Sequence, residues 1–178
     1  MDKRKEANQR VKGAITDALF SLMQEQPLDR ITITDVIRRA GVARISFYRN
    51  YTSKEDVLVT LVRDVLDEYR TEADYDLADY TSRANVVHAF RCFQQYKSYA
   101  LNLYHSGFCA MLLEELNRFH VEIAGNMPAR SPKRYQLYAF IGALLNTAIV
   151  WLEEEAPAPV ETVAEVLLSD WRDSGPQA

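Results

Sequence analysis

Apolar residues recur at intervals of three and four along most of the chain, the spacing of helices that each bury one face. Val11, Ile15, Ala18, Leu19, Leu22 and Met23 predict a helix from about Lys5 to Gln26, closed by Pro27. After a connector from Leu28 to Ile33, Thr32-Ile33-Thr34-Asp35 has the form of a capping box, with Asp35 placed to reach back to Thr32. The helix it opens carries Val36, Ile37 and Ala40 and meets Gly41. A short amphipathic segment, Arg44 to Tyr51, follows, and Ser53-Lys54-Glu55-Asp56 reads as a second capping box. It opens a longer helix with Val57, Leu58, Leu61, Val62, Val65, Leu66 and Tyr69 on one side.

Beyond Arg70 the acidic stretch Glu72 to Tyr80 has no period and reads as a loop or frayed helix end. Helical spacing resumes over Asn85–Tyr96, Tyr99–His105 and Phe108–Ile123, and breaks across Gly125 to Pro132. Two more helices are expected, from Lys133 to about Glu155 and from Val160 to about Arg172. No strand-like alternation and no internal repeat occurs. The expected fold class is all-α, with about nine helices: a small N-terminal unit containing a helix-turn-helix, residues 1–54, and a helical body, residues 55–178.

The 178 residues are 48% hydrophobic and 26% charged, which suits a packed core and excludes a disordered chain. The net charge of −4 speaks mildly against a nucleic-acid partner, but its distribution reverses that inference. Residues 1–54 hold eleven Lys and Arg against six Asp and Glu, a net of +5, leaving ten against nineteen, a net of −9, for the remainder. A basic module on an acidic body is the pattern of a chain that meets an anion at one end. Two cysteines, Cys92 and Cys109, form no C-x-x-C and no disulfide framework, and the polar start carries no apolar leader, so a reducing, cytoplasmic setting is expected. The most apolar run, Leu137 to Leu152, contains Asn146 and Thr147 and is shorter than the roughly 20 residues of a spanning helix, so it is expected to be a buried or interface helix without membrane contact.

Two short helices hinged on Gly41 with a third behind them form the helix-turn-helix arrangement. Val36, Ala40, Val42 and Phe47 are spaced to bury between the helices. The outer face of the second is expected to present Arg44, Ser46, Arg49 and Asn50 beside Tyr48 and Tyr51, side chains suited to base edges and phosphates.

The run from Ile31 to Leu58 resembles the N-terminal signature of tetracycline-repressor-type (TetR/AcrR) transcription regulators. The Ala40-Gly41-Val42 turn, Phe47-Tyr48-Arg49-Asn50-Tyr51 and Ser53-Lys54-Glu55 agree in order and spacing, over roughly residues 8–60. The resemblance implies a dimeric regulator, a repressor, that binds a palindromic double-stranded DNA operator and is released by a small-molecule effector. Arg44, Ile45 and Ser46 then stand where base contacts are made, and Tyr48, Arg49, Lys54, Thr32 and Thr34 where phosphates are held. Free N–H groups at a helix start suit phosphate. The basic arm, Lys3, Arg4 and Lys5, would add contacts of no sequence preference. Three departures stand out: Ala43 lacks the capping hydroxyl, Ile37 replaces a small residue, and Ile45 replaces Gly or Pro and so offers an apolar contact for a thymine methyl.

In the family the last two helices pair with their symmetry mates, which assigns Leu137, Ile141, Leu144, Leu145, Ala148, Leu152, Val163 and Leu167 to a homodimer interface. The middle helices hold the effector in relatives, and Phe93, Tyr96, Tyr104, Phe108, Asn146 and Trp151 are the expected lining. Two alternatives stay open. One is control by a protein coactivator. The other is metal sensing, because His88/Cys92 and His105/Cys109 are both i, i+4 pairs able to share a helix face. No cofactor is expected. The six glycines are isolated, and H-E-x-x-H and G-x-S-x-G are absent, which argues against an enzyme.

Overall fold

The computed structural model describes residues 3–125 and 127–173, except the side chains of residues 3, 170, 172 and 173. The Lys3 side chain of the basic arm and Gly175 therefore lie outside the described residues. The described residues form nine α-helices and no strand: α1 Lys3–Glu25, α2 Ile33–Ala40, α3 Arg44–Asn50, α4 Lys54–Glu72, α5 Arg83–Gln95, α6 Lys97–His105, α7 Cys109–Ala124, α8 Pro132–Glu153 and α9 Val160–Asp173. A 3₁₀ turn, Leu28–Arg30, fills the connector after α1. The chain divides into two compact units, Met1–Asp64 and Val65–Ala178, with the boundary inside α4 where a boundary at its start was expected.

The first unit is built as its start and stop signals dictate. The Thr32 hydroxyl accepts from the Asp35 N–H at 3.1 Å, and the Asp35 carboxylate accepts from the Thr32 N–H at 3.0 Å, so two of the free donors at the start of α2 are satisfied reciprocally. Gly41 ends α2 in the left-handed region at φ +65°, as expected of the hinge. Ala43 begins α3 with no side-chain cap. The second box is only half made: Ser53 Oγ accepts from the Asp56 N–H at 3.1 Å, but the Asp56 carboxylate turns to the Thr52 N–H at 2.8 Å. Ile15, Leu19, Ile31, Val36, Phe47 and Leu58 close the core at 1% exposure or less. Burial of such side chains is worth about 1.5–3 kcal/mol each.

The second unit wraps α8. Leu137, Phe140, Ile141, Leu144, Leu145, Ala148, Ile149 and Leu152 of α8 are buried within the chain itself. Phe140 meets Tyr80 and Trp171 at ring-centroid distances of 5.4 and 5.1 Å. Phe90 of α5 stands edge-on to Trp151 at 5.7 Å, and the Trp151 indole donates to the Ala158 carbonyl at 3.0 Å. Burial of the Trp ring thus leaves its N–H satisfied.

The residues expected at a dimer face are packed inside one chain. All eight residues assigned to it, from Leu137 to Leu167, are core side chains of one chain, with exposures between 0% and 8%. An α8 that is apolar on most sides does not reveal which side its own neighbours take. Its outward positions include Tyr135, Ala139, Asn146 and Val150, spaced at four, seven and four. At 22 residues α8 is also longer than its apolar run, and is long and apolar enough to cross a membrane by length and composition alone; half of its most apolar window is buried inside the fold.

Two glycines separate backbone strain from helix propensity. A Cβ at Gly41 meets no atom within 4 Å, yet φ is positive; Gly13, inside α1, has equal space and an ordinary helical backbone. Gly41→Ala is expected to destabilise the protein by about 1–2 kcal/mol and Gly13→Ala to stabilise it by about 0.5–1 kcal/mol. Urea denaturation of the two variants checks both signs.

Candidate nucleic-acid interface and cavity

The rotation of α3 is set by Phe47, which has no exposed surface. With about 100° between successive helical residues, Ile45 and Arg49 fall on the opposite side and Tyr48 on the flank. Ile45 is 70% exposed and Tyr48 47%, and Arg44 and Arg49 are exposed. Ile45 thus stands exposed amid the polar face of a short helix. The Arg44 guanidinium lies 5.3 Å from the Tyr48 ring centroid and donates to its hydroxyl at 3.2 Å, which holds one cation against the aromatic ring. Ser46 is half-buried, and Asn50 folds back so that its amide donates to the Ser46 carbonyl at 2.8 Å.

Tyr51 departs from expectation. It lies four residues after Phe47, hence on the same face, and is only 3% exposed. Burial raises its hydroxyl pKa, with Thr16 as its hydrogen-bond partner. It is a core residue of the first unit.

Lys54, expected at a phosphate, is tied to its own chain. Its ammonium donates to the Leu28 and Ile31 carbonyls at 2.5 and 2.7 Å, pinning the 3₁₀ turn to the start of α4. Other basic residues of the first unit are similarly engaged. Arg39 makes a two-pronged pair with Glu25 at 2.8 and 3.0 Å and also donates to Ser21, and the hydrogen bonds from Arg39 hold the Glu25 carboxyl below its ordinary range. Lys12 pairs with Asp64. Thr32 spends its hydroxyl on the α2 cap, while Thr34 is exposed beside it. Of the eight expected contact residues, Thr34, Arg44, Ile45, Tyr48 and Arg49 are exposed, Ser46 is half-buried, and Thr32 and Lys54 are partly or wholly used inside the unit.

The second unit contains a cavity of about 560 Å³ between the end of α4, the segment after it and α5. Of the six residues expected to line an effector site, only Tyr96 borders it. Asn146 and Tyr104 face outward, Trp151 is buried in the core, and Phe93 and Phe108 are half-buried elsewhere. The wall that sequence reasoning missed includes Glu68, Tyr69, Glu72, Tyr75, His88 and Cys92. The signal was the acidic, aromatic stretch after α4, which reads as an irregular loop but supplies Asp74 and Tyr75 to the wall.

The metal alternative meets a direct correction. Among the described residues no group of three His, Cys, Asp or Glu side chains is placed to hold a metal ion. His88 instead hydrogen-bonds Tyr75 through Nδ1 and stacks on Tyr69 at 4.2 Å, and His105 pairs with Glu153 at 3.4 Å. The two i, i+4 pairs do not converge.

A buried helix-turn-helix core with an outward polar face, joined to a larger all-α unit, defines a helix-turn-helix regulator architecture. Residues 15–61 match the family described as bacterial regulatory proteins, tetR family. The chain is 21% identical over 159 residues to the HTH-type transcriptional regulator YxbF of Bacillus subtilis, covering 85% of this chain and 42% of that protein. It is 36% identical over 55 residues to the HTH-type transcriptional regulator EthR of Mycobacterium tuberculosis, covering 31% of this chain and 26% of that protein. The chain thus spans less than half the length of these curated relatives. A TetR transcriptional regulator from Streptococcus agalactiae superposes with a TM-score of 0.64 at 25% identity, over 93% of this chain and 96% of the other. Residues 15–61 are thus a tetR-family regulatory domain, and nearly the whole chain shares the fold of a TetR transcriptional regulator.

The engagement of Lys54 separates two kinds of basic residue. Lys54→Ala is expected to destabilise the protein by about 1.5–3 kcal/mol, the range for hydrogen bonds from a charged donor, and Arg49→Ala to change stability by less than about 0.5 kcal/mol. Chemical denaturation of both variants measures this; equal effects would contradict the assignment of Lys54 to the scaffold.

Proposed function

We infer that the chain is a DNA-binding transcriptional repressor that acts as a homodimer on a palindromic operator and is released by a small-molecule effector. The observation that carries this reading is the face of α3. Six large apolar side chains are left exposed among the described residues, and two of them, Ile45 and Tyr48, sit side by side with Arg44 and Arg49 on one short helix. Arginines supply phosphate contacts and bidentate bonds to guanine, and an exposed isoleucine suits a thymine methyl in the major groove.

Three of the remaining exposed apolar side chains, Tyr135 and Val150 on α8 and Val166 on α9, support the dimer. In this reading a second copy covers the outward positions of these helices, because one helix-turn-helix unit reads one half-site and palindromic operators match a two-fold pair. The cavity of the second unit is where an effector is held. α4 supplies Glu68, Tyr69 and Glu72 to the cavity wall.

Selection from a randomised double-stranded DNA pool tests the reading. A palindromic consensus is expected, with affinity falling steeply as salt rises because several phosphates are neutralised per half-site. Arg44→Ala is expected to relax base preference at one position per half-site, a loss of about 1–3 kcal/mol in discrimination. Recovery of no consensus would overturn the reading. For the dimer, Val150→Glu is expected to yield monomers in sedimentation with little loss of fold. Leu145→Ala is expected to cost about 2–5 kcal/mol of stability.

A further inference from the structure

The cavity wall has an unusual composition for a site of its size. At about 560 Å³ it falls within the range of small-molecule pockets, which are mostly apolar with a few polar groups. Here three carboxylates, Glu68, Glu72 and Asp74, border the space together with the aromatic rings of Tyr69, Tyr75 and Tyr96. Two arginines, Arg83 and Arg91, also border it, but both are engaged by carboxylates of α9. Arg83 Nε donates to Glu165 at 2.5 Å and Arg91 to Glu161 at 2.7 Å.

The wall carboxylates take other partners. Glu68 accepts from the Tyr96 hydroxyl at 2.7 Å and from the Gln95 amide at 3.2 Å, both neutral donors, and Glu72 stands 3.4 Å from His88 Nε2. The charge of the carboxylates is therefore not cancelled by the arginines, whose own charge is met by Glu161 and Glu165. The Cys92 thiol is pushed up to about 12, first by burial and then by Glu68 and Glu72, and the Tyr96 hydroxyl is raised by burial and by Glu68. An anionic occupant would meet the field of these carboxylates unfavourably, and a neutral one would gain nothing from it. A cation would gain from it twice, from the carboxylates and from the faces of the tyrosine rings.

The geometry points to an organic cation as the ligand class of this cavity: an amine or quaternary ammonium carrying an aromatic or apolar body, its charge held by Glu68 and Glu72 and flanked by Tyr75 and Tyr96. This deepens the effector reading above and rests on it for its regulatory meaning, but the binding itself is measurable without DNA.

The test is calorimetric titration of the full chain with benzyltrimethylammonium and its bulkier naphthylmethyl analogue. Each is run beside the near-isosteric neutral alcohol benzyl dimethyl carbinol and the anion phenylacetate. At least one cation is expected to bind ten-fold or more tightly than the neutral compound, with phenylacetate weakest. The E68Q/E72Q variant, which keeps side-chain size and amide hydrogen bonding, is expected to abolish that ten-fold preference while leaving affinity for the neutral compound unchanged. Neither cation binding better than the neutral isostere, in the unmodified protein, would overturn the proposal. So would a preference that survives in E68Q/E72Q. Operator binding, measured on the same protein preparation, distinguishes the two readings. Cation binding without release of DNA would sink the effector role and leave the ligand class standing. DNA released by another class of compound, with no cation bound, would do the reverse.

Discussion

Burial of one side chain, Phe47, organises the functional end of this protein. It sits at zero exposure among α1, α2 and α3, so α3 cannot rotate without exposing a full aromatic ring. Fixing Phe47 inward fixes Ile45, Tyr48 and Arg49 outward by helical geometry alone. The partners of Phe47 are fixed in turn by local signals: the Thr32–Asp35 box starts α2 at one residue, and left-handed Gly41 stops it at another. Tyr51, one turn after Phe47, adds a second aromatic ring to the same core at a centroid distance of 5.8 Å. A seven-residue helix has little stability of its own. Its position comes from this pair of rings.

Charge in the first unit divides into two uses. Lys12, Arg39 and Lys54 bind chain atoms, a carboxylate each for the first two and two backbone carbonyls for the third. Arg44 and Arg49 remain at the surface of α3. The excess positive charge of the N-terminal third is therefore partly structural, and two of the cations directed outward lie on the helix that Phe47 orients. In the second unit the acidic excess is likewise divided. Glu161 and Glu165 of α9 hold arginines of α5, while Glu68, Glu72 and Asp74 border the cavity.

Much of this was legible in the sequence because it depends on neighbours in the chain. Pro27, Thr32, Asp35 and Gly41 act within one turn, and helix boundaries fell within a few residues of the apolar spacing. What was not legible depends on tertiary direction. Tyr51 is amphipathic enough to suit either face, and only the depth of Phe47 decides. Leu137 to Leu152 is apolar nearly all round, so the pattern marks a buried helix without saying that its own chain fills the apolar side and leaves Tyr135, Ala139, Asn146 and Val150 outward. Lys54 reads as a surface cation until the carbonyls of Leu28 and Ile31 are brought beneath it. The cavity wall escaped because it draws on a segment with no period at all, residues 73–82, and on polar side chains of α4 and α5 where aromatic residues of later helices were expected.

The central claim is that Phe47 turns a nucleic-acid-reading face outward on α3. Amide hydrogen exchange of the full chain, with and without DNA carrying its preferred site, tests it most directly. DNA is expected to slow exchange across residues 32–50, at α2, the Gly41 turn and α3, and to leave α5 to α7 unchanged. Protection confined to α5 to α7, with α3 unaffected by DNA, would contradict it.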